Sequence, residues 1–143
     1  MAKKALIVES DLDLEQKVIG LLACVAQEHK VEIERRIQQT PVSFPQLQLL
    51  HALAVAPGGR MTVGQLKDVM VDENPNVSRA LGKLADLGLV EKERSPEDQR
   101  TVFVTITAEG ERTHEQADAH LLGLSTGLSK KDLRQLYELL CKL

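Results

Sequence analysis

Residues 76–107 read NVSRALGKLADLGLVEKERSPEDQRTVFVTIT, and within them the hydrophobic period changes. Val77, Ala80, Leu81, Leu84 and Leu87 recur every three or four positions, which predicts a helix with one apolar face. Gly88 follows, the residue type that tolerates a left-handed helix cap. From Leu89 the period is two. Leu89–Arg94 and Thr101–Thr107 read as strands, the second alternating Val102, Val104 and Ile106 with Thr101, Phe103 and Thr105. Between them Ser95-Pro96-Glu97-Asp98-Gln99-Arg100 is polar and turn-prone, so the pair is a hairpin with a long tip. Upstream, Asn74-Pro75 is a helix-start signal, because proline at the first helical position loses only an N–H that has no helical partner.

Working back from this stretch, Thr62 to Met70 predicts a short helix capped by Thr62, with Val63, Leu66 and Met70 inward. Pro57-Gly58-Gly59 is a turn that ends a helix capped by Ser43, whose inner face takes Leu47, Leu50 and Ala54, with Phe44 beside them. Residues 11–39 form a long helix after a short start, with Leu14, Val18, Leu21, Leu22, Val25, His29, Ile33 and Ile37 on one stripe. Thr40-Pro41 stops it, since the residue before proline avoids the helical region. Working forward, residues 108–124 return to helix and Gly123 and Gly127 bracket a turn. Ser129, with Asp132 three residues on, opens a last helix bearing Leu133, Leu136, Tyr137, Leu140 and Leu143.

The expected fold is therefore mainly α with a small β-hairpin wing, a winged helix-turn-helix flanked by terminal helices. Residues 41–107 make the winged unit, and residues 1–40 and 108–143 a helical dimerisation region, because leucine-rich end helices cannot all be satisfied within so small a winged unit. With Phe44, Phe103 and Tyr137 as its only aromatics and no Trp, the core must be aliphatic. Recognition by base stacking on an aromatic platform is disfavoured for the same reason.

A helix of this kind fits the DNA major groove, and a hairpin tip reaches the backbone or the minor groove. Away from the core, the helix from residue 74 to 87 carries Asn76, Ser78, Arg79, Gly82 and Lys83. Asn bonds adenine through two atoms, Arg forks onto guanine, Ser bonds a base or a phosphate, and Lys83, one turn on, suits phosphate. Arg100 at the wing tip has the always-charged fork suited to a narrow minor groove, and Asp98 is placed to hold its guanidinium. The net charge of −3 opposes a nucleic-acid partner only if charge is read globally, so its distribution must decide. The bland alternatives are a solvated Arg79, an Asn76 that satisfies local backbone, and an Arg100 of no special purpose.

From Phe44 to Glu111 the chain resembles the MarR family. The matching stretches are Met61-Thr62-Val63-Gly64-Gln65-Leu66, Asn76-Val77-Ser78-Arg79, Leu87-Gly88-Leu89-Val90-Glu91-Lys92, and Pro96-Glu97-Asp98-Gln99-Arg100 leading into Val102-Phe103-Val104-Thr105-Ile106-Thr107. The resemblance implies a cytoplasmic homodimer that reads a pseudo-palindromic double-stranded DNA site, usually as a repressor, and is released by a small aromatic or anionic effector. It assigns Asn76, Ser78 and Arg79 to the major groove and Arg100, braced by Asp98, to the minor groove. Asp72 and Glu73 depart from expectation, since two carboxylates stand where phosphates would approach. The alternative of another class is a winged-helix module that binds a protein rather than DNA.

Other chemistry finds little footing in the sequence. P-loop, Rossmann, GxSxG and HExxH patterns are absent, so no enzyme is expected. Cys24 has apolar sequence neighbours, surroundings that leave a thiol inert, and Cys141 lies far from it near the C-terminus in the expected dimer zone, so the two make no disulfide scaffold. His114 and Asp118 stand one helical turn apart, compatible with two metal ligands, yet no HxxxH or Cys/His cluster completes a set. No cofactor or metal is therefore expected. His29, Arg35 and Arg36 on the first helix are the candidates for lining an effector space. No run of eighteen apolar residues predicts a membrane span, which leaves the cytosol as the default.

Overall fold

The computed structural model describes residues 4–70 and 76–143. The expected contributions of Asp72, Glu73, Asn74 and Pro75 lie outside the described residues. Among the described residues, seven α-helices and three strands follow one another as α1 (Lys4–Val8), α2 (Leu14–Ile37), α3 (Phe44–Val55), β1 (Arg60–Thr62), α4 (Val63–Val69), α5 (Asn76–Asp86), β2 (Val90–Arg94), β3 (Val102–Ile106), α6 (Ala108–Leu121) and α7 (Lys130–Leu140). The molecule is mainly helical with a small antiparallel wing, as the period change predicted.

Local chemistry sets the boundaries. Asp13, Ser43 and Thr62 each close a reciprocal capping box with a glutamine three residues on, so α2, α3 and α4 each start with two of their free N–H groups satisfied. Thr107 and Ser129 cap α6 and α7 through their side chains. Gly88 sits at φ +72°, and its N–H donates to the Ala85 carbonyl while Leu89 N–H donates to that of Leu84. This paired closure needs a left-handed residue at position 88, which glycine adopts without steric cost.

The core is aliphatic. Leu47, Leu49, Leu50, Ala52 and Leu53 of α3 are buried together with Ile37, Leu66, Val77, Leu81, Leu84, Leu89, Val90, Val104, Ile106 and Ala117. Two packing expectations need correction. Ala54 is exposed, and α3 buries most of its other faces instead, because α6 covers one side and α5 and the sheet another. Leu87 is also exposed, since α5 ends at Asp86 and Leu89 takes the inward place beyond the turn.

β1 was not anticipated. It pairs antiparallel with β3 (Met61 opposite Val104), while β2 pairs with the other edge of β3, from Val90 opposite Ile106 to Arg94 opposite Val102. The sheet order is β1-β3-β2, so the hairpin is tied to the segment that leads into α4. On its outer face the Arg60 guanidinium lies 4.0 Å from the centre of the Phe103 ring and 3.6 Å from the Glu93 carboxylate, a clamp across all three strands.

The terminal helices are a different matter. α1, a separate helix where only a short start was expected, packs on α2 with Lys4 paired to Glu28 at 2.5 Å. Of α2's long stripe only Ile37 is buried, and Leu14, Val18, Leu22 and Val25 are exposed. Every residue of α7 is exposed, including Leu133, Leu136, Tyr137 and Leu140.

Candidate nucleic-acid interface

α5 buries Val77, Leu81 and Leu84 and leaves Asn76, Ser78, Arg79 and Lys83 exposed. The exposed residues are divided between two flanks of the helix. Asn76, Arg79 and Lys83, at spacings of three and four, line a groove of about 450 Å³ with Lys30, Phe44 and Leu49. Ser78 lies on the other flank, in a cleft of about 720 Å³ between α4, α5 and the wing. A Cβ at Gly82 would meet nothing within 4 Å, so the outward face of α5 is flat between the two flanks.

The wing cleft brings Ser78 to Arg100 and adds three cations that the sequence reading missed, Lys67, Lys92 and Arg94. Among the described residues that line the cleft, Glu93 is the one carboxylate, and it lies beside Arg60. A chain of net charge −3 thus concentrates positive charge where a helix and a hairpin tip converge. Alternation within β2 and β3 could have suggested Lys92 and Arg94, but the approach of Lys67 is purely tertiary.

The wing tip is held by backbone hydrogen bonds, and here the expected role of Asp98 changes. Its Oδ1 accepts from the Arg100 backbone N–H at 3.0 Å and its Oδ2 from the Thr101 hydroxyl at 3.2 Å. Asp98 therefore shapes the loop backbone and does not grip the Arg100 guanidinium. A short carboxylate two residues from a backbone N–H closes such a local turn at little entropic cost. Arg94 completes the frame by donating from Nη1 to the Gln99 carbonyl at 3.0 Å, and the Arg100 side chain stays exposed.

Of the residues expected beside an effector, Arg35 and Arg36 are both engaged in ion pairs. Arg36 pairs with Glu32 at 2.7 Å and donates at 3.4 Å to the carbonyls of His120 and Gly123, so it joins α2 to the end of α6. Arg35 pairs with the same carboxylate at 2.6 Å. These two guanidiniums, Arg36 first, hold the Glu32 carboxyl below the usual carboxylate range. The groove beside α5 is lined instead by Lys30, Arg79 and Lys83, over Phe44, Leu49 and Met70. Cys24 is half-buried and Cys141 exposed.

A family model described as MarR family matches residues 40–101. An uncharacterised HTH-type transcriptional regulator of Mycobacterium leprae (strain TN) is 32% identical over 99 residues, which cover 69% of this chain and 68% of the relative. The chain belongs to the MarR family. MarR proteins are transcriptional regulators, and this one is a regulator rather than an enzyme. The MarR fold extends over nearly the whole chain. A MarR-like transcription regulator from Bacillus cereus ATCC 10987 superposes with a TM-score of 0.81 at 23% identity, covering 90% of this chain and 94% of that one. A MarR variant from Escherichia coli, solved with operator DNA, gives 0.76 at 24% identity, covering 92% and 98%. Among the described residues no helix is long and apolar enough to cross a membrane.

Proposed function

We propose that this MarR protein works in the cytosol as a homodimer that represses transcription by binding a pseudo-palindromic double-stranded DNA operator. In this reading α5 enters the major groove, where Asn76, Ser78 and Arg79 meet base edges and Lys83 a phosphate. Arg100 enters the adjacent minor groove from a tip that Asp98 keeps in shape. Residues 41–107 form the reading unit, and residues 1–40 and 108–143 join the two copies. The observation that carries the reading is the cleft in which Ser78 and Arg100 converge with Lys67, Lys92 and Arg94 on an otherwise acidic chain. The operator complex of the Escherichia coli relative adds support from a protein of the same fold.

The groove beside α5 supports an effector of stated chemistry. Phe44, Leu49 and Met70 offer an apolar floor and Lys30, Arg79 and Lys83 a cationic rim, which suits a small aromatic anion. Such a ligand competes with DNA for Arg79 itself.

Selection of bound duplexes from a random pool, followed by a salt titration on the selected sequence, tests the function. The expected product is an inverted repeat with half-sites about one helical turn apart. Its affinity falls steeply with salt as phosphate contacts release counterions. Arg79→Ala should cost about 1–3 kcal/mol and relax base preference at one position per half-site. Failure of the folded, ligand-stripped protein to enrich any sequence would instead favour a module that binds another protein.

A further inference from the structure

A cluster outside the DNA-reading face joins α3 to α6. His51 on α3 and His114 and Asp118 on α6 bring one donor atom each into a group whose members all lie within 4.8 Å of one another. His51 Nδ1 stands 3.0 Å from His114 Nε2, and that nitrogen stands 3.3 Å from Asp118 Oδ2. The sequence offered only the pair on α6, one turn apart. The third donor comes from 63 positions upstream, which is why spacing alone did not complete the set.

Hydrogen bonding serves this arrangement badly. A neutral imidazole nitrogen carries either one proton or one lone pair. His114 Nε2 can donate to Asp118 or accept from His51, and each choice leaves the other neighbour facing it without a directed bond. A cation at the centre satisfies all three atoms at once. The spacing fits a particular class of ion: around tetrahedral zinc, with ligand bonds of about 2.0–2.1 Å, neighbouring donors stand about 3.3 Å apart. The observed 3.0 and 3.3 Å are close to that edge length.

The frame around the cluster is firm. Thr113 and Ala117 of α6 and Leu50, Ala52 and Leu53 of α3 are buried, and the two helices pack against each other, so the donors project from packed elements. His114 is nearly covered, its side chain 12% exposed, while Asp118 at 49% leaves an approach from solvent. His51 and Asp118 also line a mostly apolar groove of about 670 Å³ between α3, α4 and α6.

We propose that His51, His114 and Asp118 form a binding site for one zinc-type divalent transition-metal ion per chain, and that the ion ties α3 to α6. Two imidazoles and a carboxylate suit zinc and its first-row neighbours, whereas magnesium prefers an all-oxygen shell. The site stands independently of the DNA-reading assignment, since none of its ligands belongs to that face.

The test is calorimetric titration of the full-length, tag-free, metal-stripped protein with zinc, supported by the visible spectrum of the cobalt(II) form. The expected result is one ion per chain, a tetrahedral cobalt spectrum, and no binding of magnesium. His114→Ala and His51→Gln should each weaken zinc binding at least tenfold, and Asp118→Asn should weaken it in the same direction. His120→Ala and Cys141→Ser, which remove other metal-seeking side chains, should leave it unchanged. Thermal melts without metal establish that each variant is folded. Should His114→Ala fail to fold, His51→Gln, at an exposed position, decides the matter. Absence of stoichiometric zinc binding by the folded parent, or its survival in His51→Gln, overturns the proposal.

Discussion

At the residue scale, Arg100 and Asp98 separate reach from shape. Arg100 supplies an exposed guanidinium, and Asp98 binds the backbone that carries it rather than the guanidinium itself. Arg100→Ala should therefore weaken DNA binding by roughly tenfold, about 1.4 kcal/mol, with the largest loss on A·T-rich flanks where the minor groove is narrow. Asp98→Ala should act through disorder of the tip. Its effect on affinity should be smaller, while the Arg100 amide exchanges with solvent roughly tenfold faster, about the worth of one ordinary hydrogen bond. Hydrogen exchange on the free protein reads this directly. Unchanged exchange at Arg100 in Asp98→Ala would mean that the tip is held by Arg94 and the strand ladder alone.

At the element scale, α6 is fixed against the wing by a close approach at Gly110. A methyl group there would run into the Leu89 carbonyl and the Ile106 side chain. Gly110→Ala should cost about 1–3 kcal/mol of stability in a denaturant melt, because backbone on the β2 side must shift to admit it. A melt indistinguishable from the parent's would show that α6 can slide. The other end of α6 is tied to α2 through Arg36 and Glu32. Glu32 has its folded pKa depressed by the two arginines, so its contribution is fully present above the ordinary carboxylate value of about 4.3. That contribution disappears as pH falls through the lower folded value. The gap in melting temperature between the parent and Glu32→Gln should thus close on acidification, and a gap that persists at the lowest pH would assign the effect to packing. The sequence reveals these elements unevenly. The change of period across Gly88 exposed α5 and the wing, because a helical face and a strand alternation leave different spacings. β1 was hidden, since Arg60–Thr62 is too short to alternate and exists through its pairing with β3. The candidate residues on α5 and the wing could be named by type, but the placing of Ser78 and Arg79 on opposite flanks of α5, the approach of Lys67 and the meeting of His51 with His114 all depend on packing between distant segments.

At the scale of the whole molecule, most of the exposed apolar residues lie at the chain ends. Leu6 (64% exposed), Leu14 (78%), Ile19 (62%) and Tyr137 (69%) belong to α1, α2 and α7, whereas among the described residues of the winged unit only Val55, Val69 and Leu87 are large aliphatics left exposed. A monomer rarely exposes a large contiguous apolar surface. α7 places Leu133, Leu136, Tyr137 and Leu140 on one helical stripe that nothing among the described residues buries. A second copy of the chain offers the same surfaces in return, as a two-fold contact requires. Removing residues 124–143 should therefore abolish the proposed homodimer, measured as a halved mass in sedimentation, while the truncated α6 still packs on α3. The consequence for DNA follows from linkage of two reading units. With one winged domain per binding event, affinity for the full inverted repeat should fall by roughly 10²–10⁴, whereas affinity for a single half-site should hardly change. A truncated protein that keeps the dimer mass would move the interface onto α1 and α2. A halved mass with undiminished affinity for the repeat would mean that the two half-sites are read independently, and that the exposed stripe on α7 serves some purpose other than DNA recognition.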